Sequence, residues 1–138
     1  MSNVIDMQSM RYINLFEKIS RVSTTNCFLY NNTIVFAVPG REVSRAIVKG
    51  AANIKHMQEI LGKKVKVIQE RDTNEIQKFI ADLIDPITFN KVEIVDGTVA
   101  ITAGRQSKAA LIGRNRQREE ELQEILKKFF NIDKIKIL

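Results

Sequence analysis

The chain has 138 residues, of which 44% are hydrophobic and 28% are charged, and its formal net charge is +6. This length suits one ordinary domain or two very small ones, and the composition is typical of a globular protein. No run approaches the roughly 18 apolar residues that a membrane span requires, and a single cysteine and a single histidine exclude an internal disulfide and the usual metal sites. We therefore expect a soluble, cytoplasmic protein with no cofactor.

The positive charge is unevenly distributed along the chain. Residues 1–71 carry 11 basic and 5 acidic side chains, whereas residues 72–138 carry 11 of each. Within the second half, residues 104–118 contain five basic side chains and no acidic one, and a run of glutamates follows. Such a polarised surface favours nucleic acid or another anionic partner, although a solvated helix face explains the pattern equally well.

The predicted elements of the first half begin with a helix over residues 6–18, for which Asp6 is a plausible N-cap. Strands over 22–30 and 33–38 flank an Asn31-Asn32 turn, whose residues tolerate the positive φ of a tight hairpin. Pro39 and Gly40 then break the chain. A short helix over 41–47, a helix over 52–61 that stops at Gly62, and a strand over 64–68 complete this half.

The second half has the same order of elements, at an offset of 65 residues. A helix begins at Asp72, which forms a capping-box-like pair with Glu75, and runs to about residue 83. Strands over 88–95 and 98–102 flank an Asp96-Gly97 turn, and helices over 105–111 and 117–130 precede a strand over 134–138. The order α-β-β-α-α-β thus occurs twice, which predicts an α+β protein with domains at 1–71 and 72–138.

The paired helices of each half are joined by a short loop of small and basic residues. The first loop reads Val48-Lys49-Gly50-Ala51 and the second reads Gly113-Arg114-Asn115-Arg116. Unpaired N–H groups where a helix begins, together with nearby cations, favour a phosphate. One such loop is typical of an ordinary helix–helix turn, but two at equivalent positions favour an anion site.

Both halves resemble type II KH domains, each with a small three-stranded mixed sheet packed by helices. The tandem pair resembles the archaeal NusA-like transcription factors in the segments NCFLYNNTIVFAVPGREVSRAI and ITAGRQSKAALIGRNRQREEE. The resemblance implies binding of single-stranded RNA, the nascent transcript, in the control of transcription elongation, termination or antitermination. RNA polymerase or other transcription factors are then further partners, and no membrane, small-molecule substrate or catalysis is implied.

Both loops depart from the Gly-x-x-Gly pattern of that family. Val48 and Ala51 stand where the first loop would have glycines, and Arg116 replaces the second glycine of the other loop. We expect the first loop to grip RNA more weakly and the second to rely more on charge. The candidate RNA-binding residues are Arg41, Arg45, Ile47, Val48, Lys49, Gly50, Ala51, Asn53 and Lys55 in the first domain, and Arg105, Lys108, Ile112, Gly113, Arg114, Asn115, Arg116 and Arg118 in the second.

Other readings stay open on the sequence alone. The lysines at 63, 64 and 66 either extend the basic patch or protect a strand edge. A KH fold also suits an RNA-processing or ribosome-associated factor, or a protein-interaction module that has lost its affinity for RNA. No set of nucleophile, base and acid indicates an enzyme.

Overall fold

The computed structural model describes residues 7–22, 24, 26–43 and 51–138, and the chain divides into two compact units, Met1–Glu70 and Arg71–Leu138. The predicted N-cap Asp6 and the first loop through Gly50 lie outside the described residues. Of the helix predicted over 41–47, only residues 41–43 are described; they are helical, as is Gly40 before them. In the described part of the chain, no helix is long and apolar enough to cross a membrane.

The first unit contains helix α1 (Met7–Ser20), strands β1 (Asn26–Tyr30) and β2 (Thr33–Val38), helix α2 (Ala51–Leu61) and strand β3 (Lys64–Gln69). Strand β2 lies in the centre of its sheet, antiparallel to β1 and parallel to β3. Because β3 runs parallel to β2, Lys64 at the start of β3 lies beside Thr33, directly after the hairpin turn.

The core of the first unit lies where α1 and α2 pack against this sheet. The Phe16 ring of α1 stacks on the Phe36 ring of β2 with their centroids 4.4 Å apart, and both side chains are fully buried. Ile34 and Met57 complete the centre of the same cluster. Burial of these large apolar side chains stabilises the unit by about 1.5–3 kcal/mol each.

The second unit has the predicted order without interruption: α3 (Ile76–Ile84), β4 (Lys91–Val95), β5 (Thr98–Thr102), α4 (Arg105–Ile112), α5 (Gln117–Phe130) and β6 (Lys134–Ile137). Its sheet repeats the topology of the first, with β5 antiparallel to β4 and parallel to β6. Buried side chains from β5, α4 and α5 form the core, including Ile101, Leu111 and Leu122. The α+β class with two three-stranded mixed sheets is therefore confirmed.

Both hairpins have the tight turns that the sequence predicts. Asn31 and Asn32 have φ values of 52° and 57°, and Asp96 and Gly97 have φ values of 49° and 75°. Positive φ at both central residues is the hallmark of a type I′ turn, whose twist matches that of the flanking strands. The helix stop at Gly62 is confirmed as well, with a φ of 68° and an N–H that donates to Gln58 O over 2.8 Å.

Three local predictions are wrong, each for a physical reason. Strand β1 begins at Asn26 rather than near residue 22, because side chains satisfy the preceding backbone: Ser20 Oγ accepts from Val22 N, and Glu17 accepts from Thr24 N. Strand β4 begins at Lys91 rather than residue 88, since its partner β5 is only five residues long.

The predicted capping box before α3 is also wrong. Neither Asp72 nor Glu75 caps through its side chain, and a 3-10 turn (Thr73–Glu75) precedes the α-helix. The Glu75 carboxylate instead forms ion pairs with Arg71 and Lys78, both at 3.5 Å. The basic partners thus occupy the carboxylate that the box would have used.

Candidate nucleic-acid interface

The loop between α4 and α5 depends on glycine at its first position. Gly113 has φ 74° and ψ 174°, a region of backbone space that essentially only glycine adopts. Its N–H donates to Ala109 O over 2.9 Å, and Gly113 is the C-cap of α4. A Cβ at this position would lie 3.1 Å from the backbone nitrogen of Arg118 and 2.6 Å from its Cγ. Gly113 therefore lets the end of α4 approach the first turn of α5 closely.

The last two residues of the loop are left-handed, although neither is glycine. Asn115 has φ 55° and ψ 28°, and Arg116 has φ 61° and ψ 20°. Asparagine tolerates this region through local hydrogen bonding, whereas arginine pays the full steric cost of its Cβ. The position that has lost the second glycine of the pattern thus keeps a backbone that glycine would prefer.

The loop presents backbone donors and a free cation together. Arg116 N donates to Gly113 O over 3.2 Å, whereas the N–H groups of Arg114 and Asn115 form no hydrogen bond among the described residues. The Arg114 side chain is exposed and has no ion pair in that same part of the chain. Adjacent free N–H groups beside a guanidinium suit a phosphate oxygen.

Two further cations extend this basic surface along α4. Arg105 and Lys108 are exposed, and neither side chain forms an ion pair or hydrogen bond within the described ranges. Residues 105 and 108 lie on one helical face, since positions three apart are neighbours. Ile112 is half-buried at the end of the same helix, and Leu111 is fully buried in the core.

The other two arginines are held by glutamates of α5. Arg116 Nε lies 3.1 Å from Glu119 Oε1, and Arg118 pairs with Glu121 while only 20% of its side chain is exposed. Carboxylates in the first turn of α5 also offset the positive end of the helix dipole. Attraction of an anion to this loop therefore rests on Arg114, Arg105 and Lys108 more than on the helix N-terminus.

Only part of the site predicted in the first unit lies within the described residues. Arg41 and Lys55 are exposed, and Ile54 packs against the core. Ala51 begins α2 and Asn53 lies in its first turn. The remaining candidates lie outside the described residues: Arg45, Ile47, Val48, Lys49 and Gly50.

Sequence reasoning missed how the hairpin end of the first unit is assembled. The turn residues Asn31 and Asn32 lie next to Gln58, Lys63 and Lys64, which are distant in sequence. Only the parallel pairing of β3 with β2 brings these side chains together, and no local pattern encodes that pairing. Cys27 is buried and is a free thiol, and within the described ranges no group of three metal-ligating side chains forms.

The fold and this loop define a class of small α+β proteins with two units, each built around a three-stranded mixed sheet. The crystal structure of APE1850 has the same fold, with a TM-score of 0.70 and 27% sequence identity over 97% of this chain and 100% of that one. No protein-family model matches the sequence.

Curated proteins give a family. The chain is 32% identical over 130 residues to the probable transcription termination protein NusA of Methanocaldococcus jannaschii, which covers 91% of this chain and 70% of that protein. It is 26% identical over 132 residues to the protein of the same description from Halococcus morrhuae, with 94% of each chain covered. The chain therefore belongs to the archaeal NusA family.

Proposed function

We propose that this chain binds single-stranded RNA in the control of transcription termination, elongation or antitermination, acting in the cytoplasm, and that residues 1–71 and 72–138 are two type II KH domains. The α-β-β-α-α-β order and mixed sheet of the second unit support this proposal. So do the names of the relatives, which are described as probable transcription termination proteins. The nascent transcript is then the ligand, and RNA polymerase or another transcription factor is a further partner.

The loop of the second unit carries the proposal. The N–H groups of Arg114 and Asn115 and the Arg114 guanidinium, which have no partner in the described part of the chain, would hold a phosphate of the RNA backbone. Arg105 and Lys108 would neutralise neighbouring phosphates. KH domains clamp about four nucleotides through such a loop. Because backbone contacts carry no sequence information, we expect low sequence specificity and a steep dependence on salt.

The proposed role is binding without catalysis. The half-buried Ile112 offers an apolar surface beside the loop, on which a base would lie. The described cations and amides bind phosphate, but they supply no activated nucleophile.

Fluorescence anisotropy with a labelled single-stranded RNA of mixed sequence tests the proposal, at low and moderate salt, with single-stranded DNA and duplex RNA as competitors. Arg114→Glu removes the free cation of the loop and adds a negative charge there. Each lost phosphate contact costs about five-fold in affinity at 0.1 M monovalent salt, so charge reversal should cost more than five-fold. The log–log salt slope should become shallower by about 0.7.

Lys127→Glu is the matched control, since it makes the same charge change on an exposed residue of α5, about 15 Å along the helix from the loop. We expect less than a two-fold effect from it. Equal losses for the two variants would mean that RNA responds to net charge and not to the loop. No binding of RNA by the unmodified chain would instead favour a protein partner.

A further inference from the structure

A polar groove of about 470 Å³ opens at the hairpin end of the first unit, where the β1–β2 turn meets the end of α2 and the start of β3. Its lining includes Asn31, Asn32, Gln58, Lys63 and Lys64, and none of the described residues that line it is acidic. The groove therefore offers amide and ammonium groups without a carboxylate to oppose an anion.

Hydrogen bonds position the donors of this groove. Lys63 Nζ donates to Asn32 Oδ1 over 3.1 Å, which holds the ammonium group at the turn. Gln58 Oε1 accepts from Val65 N over 2.9 Å, so the amide oxygen is used and the amide NH₂ is left to donate. The Lys64 side chain is exposed and forms no hydrogen bond or ion pair among the described residues.

The second unit has the same framework at the equivalent place. Lys134 pairs with Thr98 as Lys64 pairs with Thr33, each at the start of the parallel strand. The Gln123 Oε1 atom accepts from Ile135 N, as Gln58 does from Val65 N. The two ends can therefore be compared residue by residue.

The charges at these two ends are opposite. Asp133 precedes the strand where the first unit has Lys63, and Asp96 opens the turn where the first unit has Asn31. The Asp133 carboxylate also lies over the turn, since a Cβ at Gly97 would come within 2.5 Å of its oxygen. An anion is thus attracted to this end of the first unit and repelled from that of the second.

We propose that the groove binds a phosphodiester of the RNA backbone, as a subsite of the first unit that has no counterpart in the second. This inference rests on the proposed function and extends it to a place away from the loops between the paired helices. Lys63 and Lys64 neutralise the phosphate, and the Gln58 amide donates to one of its oxygens.

The experiment compares Lys64→Ala with Lys134→Ala, which remove the same charge from the same register position of the two sheets. We expect Lys64→Ala to weaken single-stranded RNA binding about five-fold at 0.1 M monovalent salt and to make the log–log salt slope shallower by about 0.7. Lys134→Ala should change affinity less than two-fold. Asn32→Asp places a carboxylate beside Lys63, at a turn position that aspartate tolerates, and should also weaken binding.

A titration with inorganic phosphate, monitored through backbone amide chemical shifts, tests anion binding in the groove independently of the proposed function. We expect shifts at residues 31–33 and 62–64, which vanish in a Lys63→Ala/Lys64→Ala variant, and none at 96–98. If RNA binds but the two single-lysine variants weaken it equally or not at all, the subsite is overturned. If RNA does not bind, the proposed function fails. The phosphate titration then tests the groove alone, and an absence of chemical-shift changes at residues 31–33 and 62–64 would show that it is not an anion site.

Discussion

Replacing Arg116 by glycine should stabilise the protein relative to alanine at the same position. The backbone of Arg116 is left-handed, with φ 61° and ψ 20°, and this region costs a residue with a Cβ about 1–2 kcal/mol. Glycine avoids that cost but loses about 0.5–1 kcal/mol more conformational entropy on folding. Arg116→Gly should therefore be more stable than Arg116→Ala by about 0.8 kcal/mol. Both variants lose the same exposed ion pair with Glu119, so that pair cancels in the comparison.

Arg114 supplies a matched control in the same loop, because its φ is not positive. There the usual order should hold, with Arg114→Gly less stable than Arg114→Ala by about 0.7 kcal/mol. The preference between glycine and alanine should thus reverse between two positions only two residues apart.

The assay must report on the second unit itself. The chain has no tryptophan, and both tyrosines, Tyr12 and Tyr30, lie in the first unit, so tyrosine fluorescence follows the wrong part of the molecule. Urea dependence of amide hydrogen exchange in β5 measures the free energy of unfolding where the loop contributes. If alanine is at least as stable as glycine at residue 116, the left-handed backbone at that residue is refuted.

Other substitutions test individual glycines and side-chain hydrogen bonds within the two units. Gly113→Ala should destabilise the second unit by about 2–3 kcal/mol in the same exchange assay, because the backbone conformation of Gly113 disfavours a Cβ and because that Cβ would meet Arg118. Gly104→Ala is the control: residue 104 has a φ of −66° and open space where a Cβ would lie, so stability should change by less than about 0.5 kcal/mol. Gln58→Met should cost the first unit about 1–2 kcal/mol by leaving Val65 N without its acceptor. Gln123→Met should destabilise the second unit less, since the hydrogen bond from Ile135 N to Gln123 is longer, at 3.4 Å against 2.9 Å for that of Gln58. Amide exchange in each sheet as a function of urea measures both losses of stability, and equal losses would contradict this reasoning.

The strongest parts of the sequence prediction were those with a local physical cause. Two-residue turns of Asn31-Asn32 and Asp96-Gly97 between alternating strands predicted both hairpins, and the structure confirms them. The repeat predicted the order of elements throughout the second unit, and its 65-residue offset holds for both hairpins. The offset changes after α4, because α5 begins at an offset of 66, is three residues longer than α2 and is followed by a loop that is one residue longer, so β6 begins at an offset of 70.

The weaker predictions depended on interactions between segments. Whether Val22 and Thr24 extend β1 is decided by Ser20 and Glu17 of the preceding helix, whose side chains accept hydrogen bonds from those two backbone N–H groups. Likewise, the pairing of Arg118 with Glu121 follows from the spacing of three along α5, but its burial follows from the close approach of α4 at Gly113. The sequence analysis placed Arg118 among five cations of one basic segment. The structure separates two of them, which pair with glutamates, from three exposed cations that have no ion pair among the described residues.

The departure of the second loop from Gly-x-x-Gly now has a different physical meaning. From the sequence, Arg116 replaces a small residue by a cation, which predicts a loop that relies more on charge. In the structure, residue 116 keeps the left-handed backbone that glycine would adopt, and its side chain turns back to Glu119. The absence of glycine therefore costs stability and leaves the backbone conformation unchanged, and the N–H groups of Arg114 and Asn115 have no hydrogen-bond partner within the described ranges. A loop that keeps a strained conformation at a cost of about 1–2 kcal/mol is more consistent with a retained phosphate site than with an eroded one.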